Sequence, residues 1–186
     1  MSTTIQSRVA LLAICLWLLV SGPGCAPAPL APSTPIAAGT WIGTHQISSC
    51  TGGVDFRACS RFPGKGTLTL TLADTRGAIS GTLTIEVPSP DATSVSHLTT
   101  ARIPVTGTLS STYELRLTGT TVVLEETPYG AELARVEDWN AAIGPGVMGG
   151  RIVLMTSGFF PGFGFPQQFR VTSDLTNVKK SEGSPR

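Results

Sequence analysis

The chain has 186 residues, only 13% of them charged, with Lys plus Arg at 13 and Asp plus Glu at 12. That length allows one ordinary domain with extensions. The near-neutral balance lacks both the electrostatic footprint of a nucleic-acid binder and the basic cluster that favours an anionic membrane surface.

In chain order, residues 9–20 form an uncharged apolar run of 12 behind Arg8. It is too short to span a bilayer, which needs about 20 residues, and its length fits the core of a secretory signal. Ser21-Gly22-Pro23-Gly24-Cys25 follows. An apolar run, then small residues, then Cys resembles a bacterial lipoprotein signal. In that family the Cys is acylated and becomes the mature N-terminus. Here Gly22 stands where the family prefers Leu, and Pro23 is unusual. The resemblance implies a signal peptide over 1–24, a lipid on Cys25 and a membrane as the first partner. Ala26 after the Cys implies the outer membrane by familiar Gram-negative sorting. Removing 1–24 takes away only Arg8 and leaves twelve charges of each sign.

Residues 25–38 are rich in Pro and Ala. The prolines forbid helix and favour an extended tether. At about 3.1 Å per residue it reaches about 40 Å. The barrel-forming part is expected over 39–178, with 179–186 as a flexible tail.

Four cysteines are present. Cys15 leaves with the signal and Cys25 is the lipid candidate, so Cys50 and Cys59 remain. In an exported protein such a pair implies a disulfide. Metal binding is the rival. His45 and His97 are the only histidines, and neither has a paired ligand spacing. No metal and no cofactor is predicted.

Strand signals then recur at short intervals. The first runs from Trp41 to Ile47, followed by a long connection over 48–65. Gly66-Thr-Leu-Thr-Leu-Thr-Leu72 alternates without a fault, placing Leu68, Leu70 and Leu72 on one face. Asp74-Thr75-Arg76-Gly77 is a turn. Ile79, Leu83, Ile85 and Val87 mark the next apolar face, and Pro88-Ser89-Pro90 stops it. Ile103, Val105, Gly107 and Leu109 mark a fourth strand. Thr118-Gly119-Thr120 is read as a turn between Tyr113–Leu117 and Val122–Leu124. Residues 128–143 are ambiguous: local propensity favours helix, the surrounding hairpins favour strand, and strand is predicted because context overrides propensity. Arg151–Thr156 and Gln168–Val178 complete the set.

The expected fold is all-β: an antiparallel up-and-down barrel of about eight or nine strands, with a β-sandwich as the alternative. Gly39-Thr40-Trp41 opening the first strand resembles the Gly-X-Trp signature of lipocalin-like (calycin) barrels. So do the long segment after that strand and the ending Asp174-Leu175-Thr176-Asn177-Val178. The resemblance spans roughly residues 39–178. It implies that Trp41 plugs the closed barrel end under an Arg of the last strand. Arg170 is the first candidate and Arg151 the second, each as a cation–π contact.

No catalytic set is visible. There is no Gly-X-Ser-X-Gly elbow, and Glu125-Glu126 and Glu137-Asp138 are strand neighbours that point to opposite faces. The protein is therefore not expected to be an enzyme. His45 is read as an ordinary strand residue with a local hydrogen bond, and His97 as a solvated loop residue. Phe159, Phe160, Phe163 and Phe165 crowd one Gly/Pro-rich loop, a candidate ligand or partner contact because loops run over the surface. The leading reading is a membrane-tethered protein that binds a small apolar ligand between Leu68, Leu70, Leu83, Ile85, Val105, Leu115 and Leu117. The alternative is a cell-envelope structural or protein-interaction module, including a protease-inhibitor-like one, with a filled barrel. The protein partner is not identified.

Overall fold

The computed structural model describes residues 37–52, 64–88, 98–127, 130–159 and 166–182. They belong to the second of two compact units, Pro35–Arg186. The predicted signal, Cys25 and nearly all of the tether lie outside the described residues.

Nine strands follow in order: β1 (Gly39–Gly52), β2 (Lys65–Thr75), β3 (Ala78–Pro88), β4 (Leu98–Leu109), β5 (Glu114–Gly119), β6 (Val122–Thr127), β7 (Gly130–Gly144), β8 (Val147–Phe159) and β9 (Pro166–Lys180). Every neighbouring pair is antiparallel, in the order β5-β4-β3-β2-β1-β9-β8-β7-β6, and an extra pairing of β5 with β7 closes the sheet. The result is an eight-stranded up-and-down barrel with β6 as an additional strand. A single closed sheet leaves no second sheet, so the sandwich alternative falls away.

The alternation seen in the sequence sets which residues face inward. Leu68, Leu70 and Leu72 on β2 are buried and meet Ile85, Leu83 and Gly81 of β3 in register. Thr67 and Thr71 on the opposite face are exposed. The same period of two buries Ile103 and Val105 on β4 and Leu115 and Leu117 on β5. Residues 130–144 are strand, as expected, and a bulge between Val136 and Asp138 explains their ambiguity. Before it, Ala134 and Val136 face inward; after it, Trp139, Ala141 and Ile143 do. One extra residue switches the face, so neither simple alternation fits the whole strand.

Three expectations are corrected. β1 runs on to Gly52, because Ser49 to Gly52 continue to pair with β9 beyond a bulge at Ile47/Ser49. β9 continues to Lys180, where Trp41 pairs with Lys180 and Ser181 N–H donates to the Thr40 carbonyl at 2.8 Å. The predicted turn at Thr118–Thr120 is not a hairpin. β5 and β6 do not pair with each other; both run along β7 in the same direction, β5 beside Trp139–Ala142 and β6 beside Gly130–Ala134. β6 is thus the continuation of β5 past a break at Thr120–Thr121.

The two barrel ends differ. One carries tight connections: Arg76-Gly77, Ser110–Tyr113 and Pro145-Gly146. At the first, Arg76 and Gly77 have φ of 56° and 85°, and Gly77 N–H donates to Asp74 Oδ1 at 2.9 Å, the positive-φ turn that matches strand twist. The other end bears the connections 53–63, 89–97, 128–129 and 160–165, which lie outside the described residues. Leu83 in mid-barrel has no exposed surface, so Leu83→Ala should lower the unfolding free energy by about 2–5 kcal/mol in urea denaturation, the cost of an unfilled cavity.

Candidate functional site

Trp41 sits at the tight-turn end, 1% exposed. Its indole Nε1–H donates to the Ala37 carbonyl at 2.8 Å. The cation above its ring is Lys180, with Nζ 5.7 Å from the centroid. Arg170 does not fill this role. Phe169 and Val171 face inward, so Arg170 between them points out and pairs with Glu137 at 2.7 Å. Arg151 is also outside, 3.2 Å from Asp174. The phase of β9 changes near Asn177, whose φ is 54°. Val178 is therefore buried two residues before Lys180.

His45 shares the inward face of β1 with Trp41 and is fully buried. It makes the local hydrogen bond expected of it, but at a place where the wall is irregular. The β2–β3 ladder ends at Leu68/Ile85. In the next position Glu86 is bonded by side chains: its carbonyl accepts from His45 Nε2 at 2.8 Å, and its carboxylate Oε2 accepts the Thr67 N–H at 2.7 Å. The imidazole reaches Glu86 across Gly66, where a Cβ would lie 2.5 Å from Nε2. Because a carbonyl only accepts, Nε2 carries the proton of the neutral ring. Nδ1 then presents a lone pair, and it has no hydrogen-bond partner among the described residues. Burial holds the His45 pKa below the usual histidine value; the Glu86 carbonyl bond and the Glu86 charge oppose this with smaller effects. The backbone and side-chain bonds from Thr67 hold the Glu86 carboxyl below its ordinary value. Through the His45 Nε2 and Thr67 N–H bonds to Glu86, the group fastens β1, β2 and β3 together.

Cys50 is half-buried on β1 and packs against the core. Its expected partner Cys59 lies outside the described residues, as do His97, Phe160, Phe163 and Phe165. Phe159 is the last residue of β8. Cys50, near the end of β1, and Phe159, at the end of β8, lie at the barrel end opposite Trp41.

The seven side chains expected to wall a ligand cavity, Leu68, Leu70, Leu83, Ile85, Val105, Leu115 and Leu117, are each 0–2% exposed. A wall facing a water-sized void would retain accessible surface, so these face other side chains. Trp41, Trp139 and Phe169 supply the largest filling volumes. The interior also holds His45, Glu132, Thr156, Gln167 and Ser173, polar residues that alternation alone did not single out. Hollows against the wall among the described residues include one of about 170 Å³ beside Thr121, Arg135, Met155 and Gln168, and one of about 420 Å³ over Asp138, Asn140, Gly150, Arg151 and Asp174. Among the described residues no group of three or more His, Cys, Asp or Glu is placed to hold a metal.

The class that fold and interior define is a closed antiparallel β-barrel filled by its own side chains, consistent with a lipocalin-like barrel. Comparison with protein-family models, with curated proteins and with solved structures finds no match for this chain.

A buried neutral histidine makes stability depend on pH. The unfolded chain binds the proton near pH 6.5 while the folded chain resists it. Stability is therefore complete above that pH and falls as the pH drops through it, by at most about 1.4 kcal/mol per pH unit for one proton. His45→Gln, which keeps a donor for the Glu86 carbonyl, should flatten urea-unfolding stability between pH 7.5 and 5.5. Glu86 contributes the same sign of slope only at lower pH, nearer the carboxylate range. An unchanged slope in the variant would remove His45 as its source.

Proposed function

We propose that this chain is an exported bacterial lipoprotein, held to the outer membrane through lipid on Cys25, whose filled barrel acts by its outer surface as a protein-interaction or structural module of the cell envelope. The observation that carries this reading is the packed interior. A barrel that holds a small apolar ligand needs a cavity of several hundred Å³, whereas the residues expected to line one are in contact with each other. This favours the filled-barrel reading over the apolar-ligand one.

The export part rests on the apolar run at 9–20, the Cys25 context and the Pro/Ala-rich tether. Kinship with lipocalin-like barrels is supported by Gly39-Thr40-Trp41 at that end and by the cation over Trp41. A Cys50–Cys59 disulfide would tie the end of β1 to the connection that follows it. A loop this short would contribute about 2–3 kcal/mol on the chain-entropy model.

Native mass spectrometry of the purified protein, followed by lipid extraction, should find no apolar molecule beyond the acyl chains on Cys25. A stoichiometric apolar ligand in Cys25→Ala protein would overturn the filled-barrel reading. Separately, Cys25→Ala should move the protein from the membrane fraction to the soluble one, and unchanged fractionation would defeat the anchor. Thiol labelling under denaturing conditions should leave Cys50 and Cys59 unmodified until a reductant is added.

A further inference from the structure

The wall between β2 and β3 is not laddered along its whole length. Its last rung is Leu68/Ile85. Beyond it, towards the end with long connections, β2 stays with β1 at His45/Gly66 and Gln46/Lys65. β3 stays with β4 from Glu86/Thr100 to Pro88/Leu98. The two pairs of strands part along a slit between Lys65–Thr67 and Glu86–Pro88. One rung further, a continued ladder would join the Thr67 N–H to the Glu86 carbonyl. Both groups point into the slit, but each is bonded by a side chain instead. The Thr67 N–H donates to the Glu86 carboxylate, and the Glu86 carbonyl accepts from His45 Nε2. The imidazole thus takes the place of a backbone donor, reaching from β1 over Gly66 to β3.

This closure suits one protonation state. The neutral ring needs a single acceptor and has it. An imidazolium has two donors to satisfy. Nδ1 is buried with no partner among the described residues, and an unpaired charge in an apolar interior is costly. Glu86 supplies the one opposite charge beside the ring, and its carboxylate already accepts from Thr67 on the exposed side of the slit. The burial that lowers the His45 pKa outweighs that charge. The other described neighbours bring no further charge to the ring. Leu175 stands opposite His45 on β9, and Asp174 beside it is paired on the outside with Arg151. Lys65 of β2 is exposed, and Thr99 and Thr100 face Val87 and Glu86 from β4. Glu132 on β7 is the other buried ionisable side chain among the described residues.

We propose that His45 is an acid-released latch: when Nδ1 takes a proton, the ring leaves the interior through the slit, past Gly66 and towards the Glu86 carboxylate, and β2 and β3 part at the long-connection end. Gly66 has no side chain to stand in the way. The ladders of β7, β8 and β9 stay closed. Val87 and Gly66, both buried while the latch is shut, come into contact with solvent. The barrel then presents a surface in acid that it hides at neutral pH, the local form of a histidine switch. This places the opening at one seam, whereas the pH slope of stability concerns the whole fold, and it stands whether or not the chain is exported.

The test is NMR on the full chain in detergent at pH 7.5 and 5.5, with a neutral gadolinium chelate as the probe of solvent contact. The Val87 methyl signals should be unaffected at the higher pH and broadened at the lower. Amide exchange at Thr67, corrected for its intrinsic rate, should lose up to about tenfold of its protection, the limit for one proton taken up near pH 6.5 in the open form. Leu154 and Val171, in mid-barrel, should keep theirs. His45→Gln should abolish the pH dependence of both readouts. Glu86→Gln, which keeps the carbonyl and an oxygen for Thr67, should preserve it. Val87 signals that stay sharp at pH 5.5 would overturn the latch. So would protection lost equally at Thr67, Leu154 and Val171, which assigns the effect to global unfolding. A local opening that persists in His45→Gln, or vanishes in Glu86→Gln, would assign the proton to another group and overturn it as well.

Discussion

The structure depends on one short ladder, Glu114–Leu117 against Trp139–Ala142. Each other pairing extends a sheet; this one joins its ends. Before closure, the leucines of β2 and the residues of β7 lie on one apolar face of an open, twisted ribbon. After closure they face one another across a common axis, and alternation becomes an inside and an outside. Trp139 lies on this ladder opposite Leu117 and is itself fully buried. The residue that helps seal the wall is therefore also among the largest that fill the space behind it.

The filling is dense without being uniformly apolar. Trp139 Nε1, Thr156 Oγ1, Ser173 Oγ and His45 Nδ1 are buried with no hydrogen-bond partner among the described residues. A buried group left unsatisfied costs about 1–3 kcal/mol. Three of the four lie on β7, β8 and β9, and Trp139, Ile152 and Ser173 stand side by side in register. The opposite wall, β2 to β4, is lined by Leu, Ile, Val and Ala. Its one polar device, His45, Thr67 and Glu86, stands at the rim where β2 and β3 part.

Much of this was legible in the residue order because period two is hard to mistake. Gly66 to Leu72 and Ile79 to Val87 give strand, inward face and hairpin directly. The strand over 130–144 was harder, since the Val136–Asp138 bulge places both phases in one element. The turn read at Thr118–Thr120 failed for a different reason. Gly and Thr suit a hairpin, but they also suit a break, and only pairing with a third strand distinguishes them. Arg170 was a misassignment that the sequence could have prevented: apolar Phe169 and Val171 flank it, so it had to face out. Lys180 was hidden by Asn177, whose positive φ resets the face. The end of the β4–β5 ladder had a signal in Pro104, a missing donor in mid-strand, but which neighbour loses that bond is a matter of topology.

Both described ends of the domain meet at the tight-turn rim, where Trp41 pairs with Lys180 and β1 lies between β2 and β9. This has a mechanical consequence. A pull on the segment before Ala37 acts on β1 along its own length, opposed by bonds on two flanks. If the load is taken up at the far rim, the bonds of β1 are strained together in shear instead of one after another as in unzipping. A barrel loaded in this way resists extension through its first strand, and β6, paired with β7 alone among the described residues and outside that line of force, carries almost none of the load.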